Sequence, residues 1–164
     1  MTDHGPPRRV LLAETAAAAL RRHARGSHPT ETGGILLGVR TDGHPWITRA
    51  IEIPSPDCGR SHYRLPAGTT RAAVADARRD DPRIGYLGEW HSHPADVGPS
   101  PTDRNTMLRL ALRHPRTGLV LIVVRRGPDG HWLDVRELRF PLLSTREAIS
   151  TGDLPAAEPD SRLT

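Results

Sequence analysis

The sequence predicts an α/β fold, a mixed β-sheet flanked by helices, on three observations. Segments rich in β-branched and apolar residues take turns with Ala- and Arg-rich segments of helical period along most of the chain, the pattern of strands packed under helices. The run Leu119-Val120-Leu121-Ile122-Val123-Val124 has no polar alternation, which marks a strand buried on both faces. The turn signals Thr41-Asp42-Gly43-His44 and Gly127-Pro128-Asp129-Gly130 fold two pairs of strands back on themselves.

The elements run in order. Residues 1–9 read as a disordered N-terminus. Residues 10–25 read as a helix, with Leu12, Ala16, Ala19, Leu20 and His23 on one face and Gly26 as its terminator. Residues 32–40 form a strand, rich in Gly where backbone passes closely, and residues 45–53 return beside it. Residues 54–60 are a loop carrying Cys58, and residues 62–65 a short strand. Residues 69–80 are an Ala-rich helix, stopped by Asp81-Pro82. Residues 83–93 form a strand that ends at Pro94, which has no N–H for a sheet ladder. Ser100 caps the next helix, residues 101–113, and Pro101 occupies its first position. Met107, Leu110, Ala111 and His114 are its inward face. The buried strand 119–124 and its partner 132–140 complete the sheet. From Leu143 onward the Ala, Pro, Glu, Asp and Ser content reads as a flexible tail. The predicted organisation is one domain, residues 10–142, between a disordered N-terminus and a loose C-terminal tail, 143–164.

Composition narrows the function classes. A chain of 164 residues is long enough for one real core. The single cysteine, Cys58, excludes an internal disulfide and suits a reducing cytoplasm. No apolar run approaches a membrane span. Arg8-Arg9 ahead of Val10-Leu11-Leu12 resembles a twin-arginine signal, but Glu14, Thr15 and Arg21-Arg22-His23 break the apolar region. All 23 basic residues are arginine, in keeping with a GC-rich genome; a lysine-free chain also offers no side-chain amine to a conjugation system. The net charge of +4 is modest, and no Arg cluster is interleaved with aromatics, so nucleic acid is not an expected partner.

The chemistry concentrates in Gly88-Glu89-Trp90-His91-Ser92-His93-Pro94 and the nearby Ser100-Pro101-Thr102-Asp103. Alternate strand residues share a face, so His91 and His93 sit side by side. A turn between strand end and helix start brings Asp103 back over them. Two His and one carboxylate, with a fourth position left for water, is how a catalytic zinc site is built. Ser100 and Asp103 also have a plain reading as a helix cap. Other His-x-His folds fit less well. Asp96-Val97 stands where a metallo-β-lactamase needs Asp-His, and a (β/α)₈ barrel needs about 250 residues.

His91-Ser92-His93-Pro94 followed by Ser100-Pro101-Thr102-Asp103 resembles the JAMM motif of the MPN-domain metalloproteases. Glu31-Thr32-Gly33-Gly34-Ile35-Leu36-Leu37-Gly38 resembles the strand that carries that family's catalytic glutamate. The wording from Tyr86 to Pro94 is most similar to the compact prokaryotic, deubiquitinase-like branch, and the likeness covers residues 10–140. The loop Ala95-Asp96-Val97-Gly98-Pro99 is one residue tighter than is usual in the family.

The resemblance implies an MPN, cytidine-deaminase-like α/β sandwich and a zinc metalloprotease. One Zn²⁺ per chain is expected on His91, His93 and Asp103. Glu31 is expected as general acid/base and Ser100 as donor to the developing oxyanion. Glu89, on the same strand face as His91, is the rival carboxylate, but about 6–7 Å further along; orienting a His ring is its alternative role. The implied reaction is cleavage after the C-terminal tail of a ubiquitin-like protein, in maturation or deconjugation. Partners would be that protein or its conjugate, with activating or conjugating enzymes of the same pathway. A metallo-amidase acting on a small adduct or sulfur-carrier protein, and an inactive interaction module, are the alternatives. The substrate tail is expected to lie beside an exposed strand, with Gly33 and Gly34 leaving it room.

Overall fold

The computed structural model describes residues 9–139 and 142–156. The chain runs β1 (Val10–Ala13), α1 (Glu14–Ser27), β2 (Gly33–Thr41), β3 (His44–Glu52), α2 (Thr69–Asp80), β4 (Gly85–His93), α3 (Pro101–Arg113), β5 (Leu119–Gly127), β6 (Gly130–Arg139), β7 (Leu142–Thr145) and β8 (Ala148–Thr151). The strands make one mixed sheet in the order β7-β6-β5-β4-β2-β3-β1-β8. Parallel pairs β4–β5, β1–β3 and β1–β8 stand among antiparallel ones, and the α/β expectation holds.

Strand β5 shows why the sheet needs helices on both sides. Val120, Ile122 and Val124 point into the core under α1, with Leu20, Leu36 and Trp90. Leu119, Leu121 and Val123 point the other way, under Met107 and Ala111 of α3. All six are 2% exposed or less, and full burial of one such side chain stabilises by about 1.5–3 kcal/mol. Helix α2 covers the same side as α3, over Ile35, Leu37, Ile53 and Ile84.

Three expectations need correcting. Residues 10–13 are not the start of a helix. They form β1, with Leu11 opposite Trp46 of β3 and Ile149 of β8. Leu12, Ala16 and Leu20 recur every four residues, so the apolar stripe runs unbroken across a strand-to-helix junction; the helix begins only at Glu14, whose charge suits the N-terminal dipole. Residues 62–65 form no strand. An isolated bridge, Cys58 to Tyr63, stands there instead. The third concerns the expected tail. Residues 142–151 are structured, with β7 against β6 and β8 against β1. Between them Arg146 N–H donates to Val135 O at 2.9 Å, and Val10 N–H donates to Glu147 O at 3.2 Å. One segment thus adds a short strand to each margin of the sheet, β7 beside β6 and β8 beside β1, and short strands blunt an edge. The expected disorder of residues 1–8 and the last residues of the tail, 157–164, lie outside the described residues.

Candidate metal centre

Strand β4 carries the site because its alternation is interrupted once. Leu36 of β2 faces Gly88, and Leu37 faces Tyr86, so Leu87 is an extra residue in the ladder. Beyond this bulge Trp90 points into the α1 core, while Glu89, His91 and His93 line the opposite face, on which Tyr86 also lies. Ser92 N–H donates to Thr32 O at 2.8 Å, and Thr32 N–H donates to Ser92 Oγ at 3.0 Å. These bonds carry the β2–β4 register past Gly33 and set Glu31 opposite His93. Glu31 N–H is itself tied to Gly59 O at 2.7 Å.

On the other side, the start of α3 delivers Asp103. Ser100 Oγ accepts from Asp103 N–H at 3.1 Å, and Asp103 Oδ2 accepts from Ser100 N–H at 2.6 Å. This reciprocal capping box satisfies two orphan donors of the helix end. It also fixes the Asp103 carboxylate, with Oδ1 toward His91 and the capping Oδ2 toward His93.

The three expected ligands converge. His91 Nε2 is 3.1 Å from His93 Nε2 and 3.3 Å from Asp103 Oδ1. His93 Nε2 is 3.6 Å from Asp103 Oδ2. A tetrahedral ion with bonds of 2.0–2.1 Å spaces its donors by about 3.3 Å, so the residues fit a small divalent ion. Imidazole nitrogens and a carboxylate oxygen are a donor set for zinc and its neighbours. The His93 ring is fixed from behind: its Nδ1 lies 2.9 Å from Val97 O. A carbonyl only accepts, so Nδ1 carries the hydrogen and the Nε2 lone pair faces the cluster.

Electrostatics agree with this geometry. Burial works against charge on Asp103, yet the bonds from His91, His93 and the Ser100 N–H hold its carboxyl well below the usual range. For His93, burial opposes protonation, but Asp103, the Val97 carbonyl and Glu31 together raise its pKa. Glu31 is 6% exposed. Its Oε1 lies 3.9 Å from His93 Nε2, and burial raises its pKa against the pull of His93 and His91. A carboxyl shifted up and facing the donors is suited to exchanging protons. Glu89 is placed differently. It accepts from Tyr86 Oη at 3.3 Å and lines a groove of about 620 Å³ that reaches His91 and Asp103 between the 57–68 loop and α3.

The sequence reading missed the support of the tight loop. Arg125 sits opposite His93 in the β4–β5 register. Its Nε donates to Asp96 Oδ1 at 3.0 Å, its Nη2 to Asp96 O at 3.3 Å and its Nη1 to Asp134 Oδ2 at 3.1 Å. The arginine fork therefore clamps the loop whose Val97 carbonyl orients His93. Arg125→Met is expected to weaken metal retention about ten- to a hundredfold, read by competition with a chromophoric chelator. A drop in Tm with metal affinity unchanged would make the clamp merely structural.

The glycines and the sheet edge correct a further expectation. A Cβ on Gly33 would lie 2.5 Å from Trp90 O and 2.6 Å from the Tyr63 ring, and one on Gly34 only 1.8 Å from Ile51 O. The room at these glycines is taken by the protein's own packing, with Tyr63 Oη donating to Ile53 O at 2.6 Å. β4 is paired on both sides, by β2 and β5, so no substrate strand can add to it. The groove between loop and helix reaches His91 and Asp103.

Comparison with known proteins gives a consistent picture. Residues 13–139 match the family described as prokaryotic homologs of the JAB domain. A CD-NTase/cGAS isopeptidase of Pseudomonas aeruginosa is 34% identical over 128 residues, which cover 73% of this chain and 80% of that protein. A protein of Sinorhizobium fredii named probable metalloprotease y4qB is 31% identical over 135 residues, 77% of this chain and 81% of the relative. The solution structure of protein DSY2949 from Desulfitobacterium hafniense superposes with a TM-score of 0.71 at 24% identity, over 88% of this chain and 94% of that one, a likeness of fold. No helix among the described residues is long and apolar enough to cross a membrane.

Proposed function

The chain belongs to the prokaryotic homologs of the JAB domain, enzymes of the hydrolytic metalloprotease type, and on that premise we propose a zinc-dependent isopeptidase that cleaves after the C-terminal tail of a ubiquitin-like protein. The observation that carries the reading is the spacing of His91, His93 and Asp103 donors, 3.1–3.6 Å apart, with the Glu31 carboxylate beside them. Zinc held by His91, His93 and Asp103 would supply Lewis acidity and lower the pKa of a bound water to about 7. Glu31 takes the proton from the attacking water and delivers it to the leaving amine. Ser100 Oγ already accepts from Asp103 N–H, which leaves its own hydrogen free to donate to the developing oxyanion. An extended tail lies in the groove past Tyr63 and Met107, its small Gly residues next to the scissile bond. The isopeptidase name of the Pseudomonas relative supports a bond between a C-terminal carboxyl and an amine on a second protein.

The test is mass spectrometry of products from ubiquitin-like fusions encoded in the same genome, with zinc-loaded protein. A single cut after the terminal Gly-Gly, and intact casein, are expected. Casein cut at many sites would remove the reading. Turnover of a small amide on a sulfur-carrier protein alone would replace it with the amidase alternative. Ser100→Ala is expected to lower kcat about a hundredfold with metal retained. A loss of about 1 kcal/mol in stability alone would leave Ser100 as a helix cap only.

A further inference from the structure

A second cavity, of about 860 Å³, opens on the other face of the sheet, between α1 and the β5–β6 hairpin. Five basic side chains from two stretches of chain converge on it: Arg21 and Arg25 of α1 with His28 just after it, and Arg126 and His131 of the hairpin. Arg21 Nε donates to His131 O at 3.4 Å. Among the described residues, no carboxylate comes within ion-pair distance of Arg21, Arg25 or Arg126. Carboxylates are not scarce nearby, since the adjacent Arg125 is paired with both Asp96 and Asp134. Asp129 is the one acidic residue lining the cavity. The crowding is felt by His131, whose pKa is lowered by burial and then by Arg25, Arg126, His28 and Arg21.

The cavity is close to the chemistry. Arg126 follows Arg125, which is paired with His93, and His28 precedes Glu31 by three residues. Both sites therefore lie at the same end of the sheet, on opposite faces. Arg21, Arg25, His28 and Arg126 are exposed, so their charges are open to an anionic ligand, which would relieve what mutual repulsion the solvent leaves. The form of the cluster points to carboxylates rather than nucleic acid or compact phosphate. Among the described residues, no Phe, Tyr or Trp lines the cavity, so the large aromatic platforms on which successive bases stack are missing from it. The helix end nearby is the C-terminus of α1, whose dipole opposes any anion, and a compact phosphate dianion more strongly than a singly charged carboxylate.

We propose that this cavity is an exosite for an acidic, Asp/Glu-bearing segment of the protein conjugate, which it grips while the tail to be cleaved reaches around the sheet end into the groove. The proposal rests on the isopeptidase reading for its partner, but its test does not require cleavage. A fluorescein-labelled octaglutamate peptide is titrated with the full-length protein and followed by anisotropy. Wild type is expected to bind, more weakly as salt rises. Arg25→Glu/Arg126→Glu should bind about tenfold more weakly or not at all, with unchanged Tm, whereas Arg25→Lys/Arg126→Lys keeps most of the affinity. Equal binding by wild type and the charge-reversed variant, or none by wild type, would overturn the exosite. Tighter binding of oligo-dT than of the peptide, lost in the same variant, would also overturn it in favour of nucleic acid. In a second arm the charge-reversed variant should raise KM for an acidic conjugate and leave kcat, and turnover of a short Gly-Gly amide, unchanged. Failure of wild type to cut any conjugate would sink the isopeptidase reading while the anisotropy result stood.

Discussion

Glu31→Gln is expected to keep its metal and lose turnover by at least about 10²–10⁴-fold, whereas Glu89→Gln keeps most of its activity. The amide has the size of the carboxylate and can still hold the strand, but it cannot accept a proton. The expectation for Glu31 rests on its facing the donors. Its Oε1 lies 3.9 Å from His93 Nε2 in a nearly closed setting, 6% exposed. Glu89 instead holds the Tyr86 hydroxyl and faces the groove. The measurement is single-turnover cleavage of a Gly-Gly amide beside elemental analysis of each variant. An active Glu31→Gln with a dead Glu89→Gln would exchange their roles. Loss of metal from Glu31→Gln would show that Glu31 serves the donor set rather than the proton.

The double variant His91→Ala/His93→Ala is expected to bring bound metal from one equivalent to none and to abolish activity that added zinc does not restore. Removing both imidazoles leaves Asp103 as the only donor of the cluster, and one monodentate carboxylate does not retain an ion against water. The fold should survive. Deletion at positions 91 and 93 touches the face under the groove, not the Trp90 core on the other side of β4. The loss is read by elemental analysis, with near-ultraviolet circular dichroism to confirm native packing. Retention of one equivalent by the folded double variant would place the metal elsewhere and remove the His-His-Asp centre.

Much of this molecule was legible in the chain because the signals are local. The unbroken apolar run of β5 required cover on both faces. Two-residue periodicity put His91 and His93 together. Ser100-Pro101 announced a helix start and thereby the place of Asp103. The bounds of α2 and α3 come from residues within one turn of each end, Asp81-Pro82 and Ser100-Pro101, and both agree with the structure. Even the order of the two motifs, Glu31 before the histidines, is a property of sequence alone.

What only the tertiary structure decided depends on partners far apart in sequence. Leu12 has helical spacing with Ala16 and Leu20, but β3 and β8 offer the 10–13 backbone hydrogen bonds on both sides, and pairing outweighs intrinsic propensity. Residues 142–151 look like a tail because half their side chains face solvent. They are ordered by backbone bonds to β6 and β1, which composition does not encode. The position of Glu31 opposite His93, and the face on which Glu89 lies, depend on the β2–β4 register and on the bulge at Leu87, neither readable from either strand by itself. Arg125 reads in sequence as one arginine among 23. It becomes the clamp of the His93 loop only because β5 lies parallel to β4 with that residue opposite the histidine.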